Sequence, residues 1–480
     1  VAAAPIDPTS IAFLTVESRR QPMHVGSLQL FENPADAGPG YTREMYDAMR
    51  HSDRTRPLFL QHPHRSLSTA GQLVWRPDEQ FDIDYHVRHS ALPAPGRARD
   101  LLDLCGRLHS SRLPRERPLW EAHVIEGLAD GRVALYTKIH HALLDGVAAS
   151  RLMQSVLTTD PDERGMPAPW DAGAPPVEPD ALETEVEVEV EVPRSTLATP
   201  LTEVPIEALR TGLALTAEAA GMPAALLRTL TRAARNETSA ISLHAPKTIF
   251  NQPITGSRRI AAQGWPVERL RRVGKAGDAT INDVVLAMCA GAVRRYLLDL
   301  DALPSAPLVA MVPVGLRARE SQLGSVEGGN AVGSVMCRLG TDLADPADRL
   351  ETIHRSMRAG KESLASMTPL QVVAMSALGQ IPAILPPLLR MQGIVRSPYN
   401  LIISNVPGPR TTHYWNGARL DSTYPLSIPI NGMALNITCT SYAETMCFGL
   451  TGCRRTVPSL QSILGHLDAE LDALELAVGV

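Results

Sequence analysis

Between Pro167 and Pro205 the chain changes character: prolines recur, and a strictly alternating Glu-Val tract runs from Glu185 to Val192. Such a stretch buries too little apolar surface to hold a core of its own, so it divides the chain. The expected organisation is a first domain over residues 1–170, a Pro/Glu-rich linker over 171–205 and a second domain over 206–480. Alternation is a strand pattern, yet five glutamates from Glu183 to Glu191 beside prolines predict a solvated, extended or disordered linker. Pairing of the tract with a sheet edge is the alternative. With 480 residues, each unit is long enough to bury its own core.

Both units mix strands with helices, which sets the fold class as α/β. Val133 to Ile139 is short and rich in β-branched and aromatic residues, so it reads as a strand. After it, Val147, Leu152, Met153, Val156 and Leu157 recur at helical spacing. In the second unit Thr280 to Leu297 predicts a helix and Leu308 to Val314 a buried strand. Leu435–Thr440 and Thr445–Leu450 follow as successive strands, and Pro458–Leu476 as a closing helix.

The junction of the first strand and helix carries the chemistry. It reads His140, His141, Ala142, Leu143, Leu144, Asp145, Gly146, an HHxxxDG cluster. In an extended chain successive side chains alternate faces, so only one histidine can enter a given cavity. Asp145 is placed to cap the helix and Gly146 to permit a tight turn. Three readings compete. The histidines are hydrogen-bonded structural groups beside a cap; or His and Asp are metal ligands, a weak option because no further His or Cys stands at a ligand spacing. Or a neutral imidazole, with a pKa near ~6.5, removes a proton from an alcohol attacking an acyl group. The doublet followed by DG at fixed spacing favours the last.

Bulk properties set the surroundings. A formal charge of −5 argues against general phosphate-backbone binding, so nucleic acid is not an expected partner. Cys105, Cys289, Cys337, Cys439, Cys447 and Cys453 are dispersed and lack zinc-like pairs; they read as free, buried thiols of a cytoplasmic protein. Val1 to Ser10 has neither a basic region nor an apolar core and does not read as a signal peptide. The uncharged stretch Ser363–Leu389 is broken by prolines and a glycine, so core helices and a loop are expected rather than a span. Ile206 to Asn236 has helical spacing, with Arg228, Arg232 and Arg235 on one face, as in a basic amphipathic helix at a membrane surface. An ordinary solvated face is the commoner alternative.

The cluster and the text around it resemble the bacterial wax ester synthase/acyl-CoA:diacylglycerol acyltransferase family, within the CoA-dependent acyltransferases that share HHxxxDG. The resemblance runs through Gln21-Pro22-Met23-His24-Val25-Gly26, Leu92-Pro93-Ala94-Pro95-Gly96 and Arg117-Pro118-Leu119-Trp120. It continues in Asn282-Asp283-Val284-Val285, Pro313-Val314-Gly315-Leu316-Arg317 and Ser404-Asn405-Val406-Pro407-Gly408-Pro409. It implies two chloramphenicol-acetyltransferase-like sandwich domains with an active-site tunnel between them. It further implies transfer of a long-chain acyl group from acyl-CoA, as substrate, to diacylglycerol or a long-chain alcohol, with no cofactor and no metal.

Carried over residue by residue, the resemblance makes His141 the general base, His140 a supporting residue and Asp145 structural. Asn282 takes an oxyanion-stabilising or orienting role. Gly146, Asp283, Pro118, Leu119, Trp120 and Asn405 shape the site or contact substrate. Where the family commonly has an acidic residue ahead of the RPLW segment, this chain has Pro114, so that acid's contact is missing. Peripheral contact with the inner membrane or lipid droplets is expected from the lipid acceptor. The alternatives are a condensation-type acyltransferase using carrier-bound substrates and a non-enzymatic lipid-surface protein. The sequence leaves acceptor choice, chain length and oligomeric state open.

Overall fold

The computed structural model describes residues 4–51, 54–65, 71–174, 187–190, 245–318, 332–365 and 397–480. The helix expected over 206–236 and the uncharged stretch beyond Ala365 lie outside the described residues.

The first half runs through β1 (Ala4–Pro5), α1 (Pro8–Val16), β2 (His24–Glu32), α2 (Tyr41–Arg50), β3 (Gln61–Arg65) and β4 (Leu73–Pro77). Then come α3 (Ile83–His86), β5 (Val87–Ala91), α4 (Ala98–Ser110), β6 (Trp120–Glu126), β7 (Val133–His140) and α5 (Gly146–Gln154). The second half holds β8 (Glu187–Val190), β9 (Arg258–Pro266), α6 (Val267–Ala276), α7 (Ile281–Asp299), β10 (Val309–Ala318), β11 (Val332–Arg338) and α8 (Pro346–Ala365). It ends with β12 (Leu401–Val406), β13 (Tyr414–Trp415), β14 (Ala418–Leu426), β15 (Leu435–Tyr442), β16 (Thr445–Cys453) and α9 (Ser462–Val478).

Each half is built on one large sheet, and β1, β4 and β3 make a small third one. The first large sheet has the order β13-β14-β2-β7-β6-β5; the second has β11-β10-β12-β15-β16-β9. Four residues of the Glu-Val tract, β8, pair in parallel with Gly315–Ala318 of β10, which is the sheet-edge alternative for that part of the tract.

The halves are interleaved rather than simply consecutive. β14 belongs by sequence to the second half, yet pairs antiparallel with β2, from Arg419 opposite Glu32 to Leu426 opposite Gly26. Arg419 also forms a forked ion pair with Glu32, with nitrogen–oxygen distances of 2.6 and 3.0 Å. A division at 171–205 therefore leaves two strands of the first sheet in the segment that follows it. Periodicity could mark these residues as strands but not which sheet they complete, since either edge satisfies the same backbone groups.

Two cores result. In the first, Leu119, Trp120, Val124, Val133, Leu135 and Ile139 pack with Phe59 and Trp170. In the second, α7 is buried along most of its length against α8, α9 and the sheet. No single described helix is long and apolar enough to cross a membrane. All six cysteines are buried and free.

Candidate active site

β7 delivers the histidine doublet, and neighbouring segments hold it by the backbone. The N–H of His140 donates to the Leu119 carbonyl at 2.9 Å, and the N–H of His141 donates to the Met23 carbonyl at 2.8 Å. The RPLW and QPMHV segments thus meet at the doublet. Pro118 is buried, and Leu119 and Trp120 are fully buried. These three support the site from behind through the Leu119 carbonyl.

The two imidazoles have different surroundings. His140 is fully buried, and its Nδ1 accepts the N–H of Ala142 at 3.0 Å, which closes the turn. That bond leaves the proton on Nε2, which faces Glu17 Oε1 at 3.5 Å. The Glu17 side chain is also buried and accepts from Arg115 at 3.1 and 3.3 Å. Burial works to raise the Glu17 pKa, but His140 and Arg115 together hold it below the usual carboxylate value. His141 is only partly covered, and its ring stacks on Phe13 with centroids 4.2 Å apart. Burial lowers its pKa, against an opposing pull from Asp145. Among the described residues no hydrogen bond from another residue occupies the His141 ring.

Asp145 is the N-cap of α5: its Oδ1 accepts the N–H of Ala148 at 2.7 Å. Gly146 follows as the exposed first residue of that helix. With His140 closing the turn and Asp145 capping the helix, His141 is the titratable group of the cluster left to face a substrate.

Helix α1 is the part of the site that the sequence reading missed. Asp7 caps it by accepting from Thr9 and Ser10, and Pro8 supplies a preset φ in the first turn. Ser10, Phe13 and Glu17 stand at i, i+3 and i+7, on one face. Ser10 Oγ donates to the Ala142 carbonyl at 2.8 Å, Phe13 stacks on His141, and Glu17 faces His140. The spacing was visible in the sequence, but nothing local says which partner that face meets. Arg115, next to Pro114, ties the segment before RPLW to the Leu14 carbonyl as well as to Glu17.

Beneath the doublet lies a buried polar layer. His24 is in register with His140 across β2 and β7, and its Nε2 lies 2.9 Å from the His109 carbonyl. Lys138, fully buried, donates to the carbonyls of Leu108 and Ser111 and pairs with Glu121. Burial favours a protonated Glu121, yet His123 and Lys138 overcome this and hold its pKa at about 2. These bonds fasten the C-terminal end of α4 to the sheet under the histidine turn.

The second-half residues lie at two places. Thr280 and Asp283 form a capping box at the start of α7, and Asp283 Oδ2 also meets His354 Nδ1 of α8 at 2.9 Å. Asn282, in the same turn, is buried and its Nδ2 has no hydrogen-bond partner among the described residues. No hydrogen bond joins Asn282 or Asp283 to the histidine turn among the described residues. Asn405 lies in β12 opposite Cys439 of β15. The loop after it is pinned at Gly408, where a Cβ would fall 2.0 Å from the Ser441 carbonyl, and Gly408 N–H donates to Ser441 Oγ at 3.0 Å. Only glycine fits that approach.

Comparison with known proteins bears on this geometry. Residues 6–285 match the wax ester synthase/diacylglycerol acyltransferase catalytic domain, and residues 328–475 match the C-terminal domain of that family. A putative diacylglycerol O-acyltransferase of Mycobacterium tuberculosis is 45% identical over 480 residues, covering 99% of this chain and 100% of the relative. A second, a probable diacylglycerol O-acyltransferase of that organism, is 44% identical over 98% of this chain and 99% of its own length. The wax ester synthase/diacylglycerol acyltransferase structure from Marinobacter aquaeolei VT8 is 40% identical, covers 99% of this chain and 100% of its own, and superposes with a TM-score of 0.77. The first condensation domain of the CDA synthetase shares the fold at 15% identity and a TM-score of 0.53.

Proposed function

The chain belongs to the wax ester synthase/diacylglycerol acyltransferase family, and on that premise we propose that it transfers a long-chain acyl group from acyl-CoA to diacylglycerol, giving triacylglycerol. The observation that carries the mechanism is the division of labour in the cluster: His140 and Asp145 are engaged by backbone N–H groups, and the His141 ring is not. In this reading the neutral His141 imidazole takes the proton of the acceptor hydroxyl as its oxygen attacks the thioester carbonyl. The tetrahedral oxyanion collapses by breaking the C–S bond, and the CoA thiolate regains the proton from the imidazolium. A thioester is already activated, so no covalent enzyme intermediate is required. The unpartnered Asn282 amide supports an orienting or oxyanion-stabilising role, since a buried donor without an acceptor favours a group that supplies one.

Long-chain alcohols are the second acceptor in this reading, giving wax esters. Palmitoyl-CoA supplied with diacylglycerol and hexadecanol together tests it by product ratio. Triacylglycerol in excess supports the reading, and wax ester alone would overturn the choice of diacylglycerol. The reading extends to a cytoplasmic enzyme that meets its acceptor at a membrane or droplet surface.

Acid sensitivity provides a second check. Burial lowers the His141 pKa, so the base stays neutral below its ordinary value of 6.5. The acidic limb of kcat/KM is therefore expected below that pH, with activity flat from neutrality down to it. A limb clearly above it would contradict His141 as the titrating base.

A further inference from the structure

Six arginines converge where the two halves meet. Arg19 and Arg20 lie in the turn between α1 and β2, Arg258 and Arg259 open β9, and Arg454 and Arg455 follow β16. In the ladder, Arg258 and Arg259 stand opposite Cys453 and Gly452, and the N–H of Arg454 donates to the Ser257 carbonyl at 3.0 Å. The Arg258 guanidinium donates to the Arg20 carbonyl at 2.9 Å, and a Cβ on Gly256 would lie 2.4 Å from the Arg19 carbonyl. Three segments from both halves thus share one neighbourhood.

None of these arginines forms an ion pair with a carboxylate among the described residues, although acidic residues outnumber basic ones, 51 to 46. Arg19, Arg20, Arg454 and Arg455 are exposed. Arg258 is 5% exposed, and among the described residues its guanidinium hydrogen-bonds to the carbonyl oxygens of Thr255 and Arg20. A buried cation without a carboxylate partner is costly, and the Cys453 thiol, whose pKa, despite burial, hydrogen bonds lower to about 7, offsets only part of that cost. Clustered like charges repel one another as well, and a bound polyanion would offset both effects.

We propose that this arginine patch binds the phosphate groups at the nucleotide end of acyl-CoA; the inference rests on the acyl-CoA reading above. Arg20 is three residues from Met23, whose carbonyl holds His141, so the two Cα atoms are at most about 11 Å apart. The pantetheine arm keeps the phosphates away from the thioester but tethered to it, which suits a patch beside the histidine turn rather than in it. Phospholipid headgroups offer the same phosphate chemistry. Interfacial binding, however, combines basic with apolar side chains, and the large exposed hydrophobics described are Leu298, Leu300, Leu476 and Val480, on other elements.

The test replaces three exposed members, Arg19→Gln, Arg454→Gln and Arg455→Gln, in one chain. Its readout is the ratio of kcat/KM for palmitoyl-CoA to that for palmitoyl-pantetheine, which lacks the nucleotide. The ratio is expected to fall about 10- to 100-fold, and to fall in the wild type as salt is added. An unchanged ratio in an active protein overturns the proposal alone. So does an unchanged ratio with weakened binding to phosphatidylglycerol vesicles, which would assign the patch to lipid headgroups. A wild type inactive with both donors would sink the acyl-transfer reading along with it.

Discussion

Replacing His141 with alanine is expected to lower turnover by about 10²- to 10⁴-fold, the usual contribution of a positioned general base. The loss should appear in kcat with little change in stability, because the contact holding this residue is its backbone N–H on the Met23 carbonyl, which alanine keeps. The side chain gives up its stacking on Phe13. Thermal unfolding and steady-state rates on the same preparation separate the two effects. A folded variant with wild-type turnover would remove His141 from the mechanism. His140→Ala makes a useful contrast, since it deletes the acceptor for the Ala142 N–H and should disturb the turn itself.

The second large effect is expected from Trp120→Ala. This side chain is 1% exposed, and its Nε1 donates to the Phe59 carbonyl at 2.9 Å. It stacks on His86 at 4.7 Å and lies 5.0 Å from the Trp170 ring. Removing it should cost about 3–5 kcal/mol, from lost apolar burial plus the cavity left behind. Activity should fall too, because the adjacent Leu119 carbonyl holds the His140 backbone. Urea unfolding gives the stability change, and Trp120→Phe should recover part of it. A loss below about 1 kcal/mol would mean that the first core does not depend on this ring.

What could be read from the sequence was local. The strand read over Val133–Ile139 and found as Val133–His140, the capping residue Asp145, and the helix read from Thr280 and found as Ile281–Asp299 behind a Thr280 cap follow from side-chain period and capping chemistry. Those signals depend on residues within a few positions of one another. The clamp of α1 on the histidine turn was not legible, although its face is spelled out by Ser10, Phe13 and Glu17. Its partners are more than 120 residues away, as the bond from Ser10 to Ala142 shows. Likewise, Arg115 is an unremarkable charge in the sequence until Glu17 meets it.

The sequence by itself determined the strand and the capped helix on either side of the histidine turn, the helix capped by Thr280, and which residue types stand at the turn. Only the tertiary structure decided that β14 crosses to complete the first sheet. It also decided that His140 is consumed by the turn and that three distant segments, each carrying two arginines, share one neighbourhood. The reason is physical: period and capping are set by neighbours along the chain. Burial, pKa and charge clustering depend on which distant segments exclude water together.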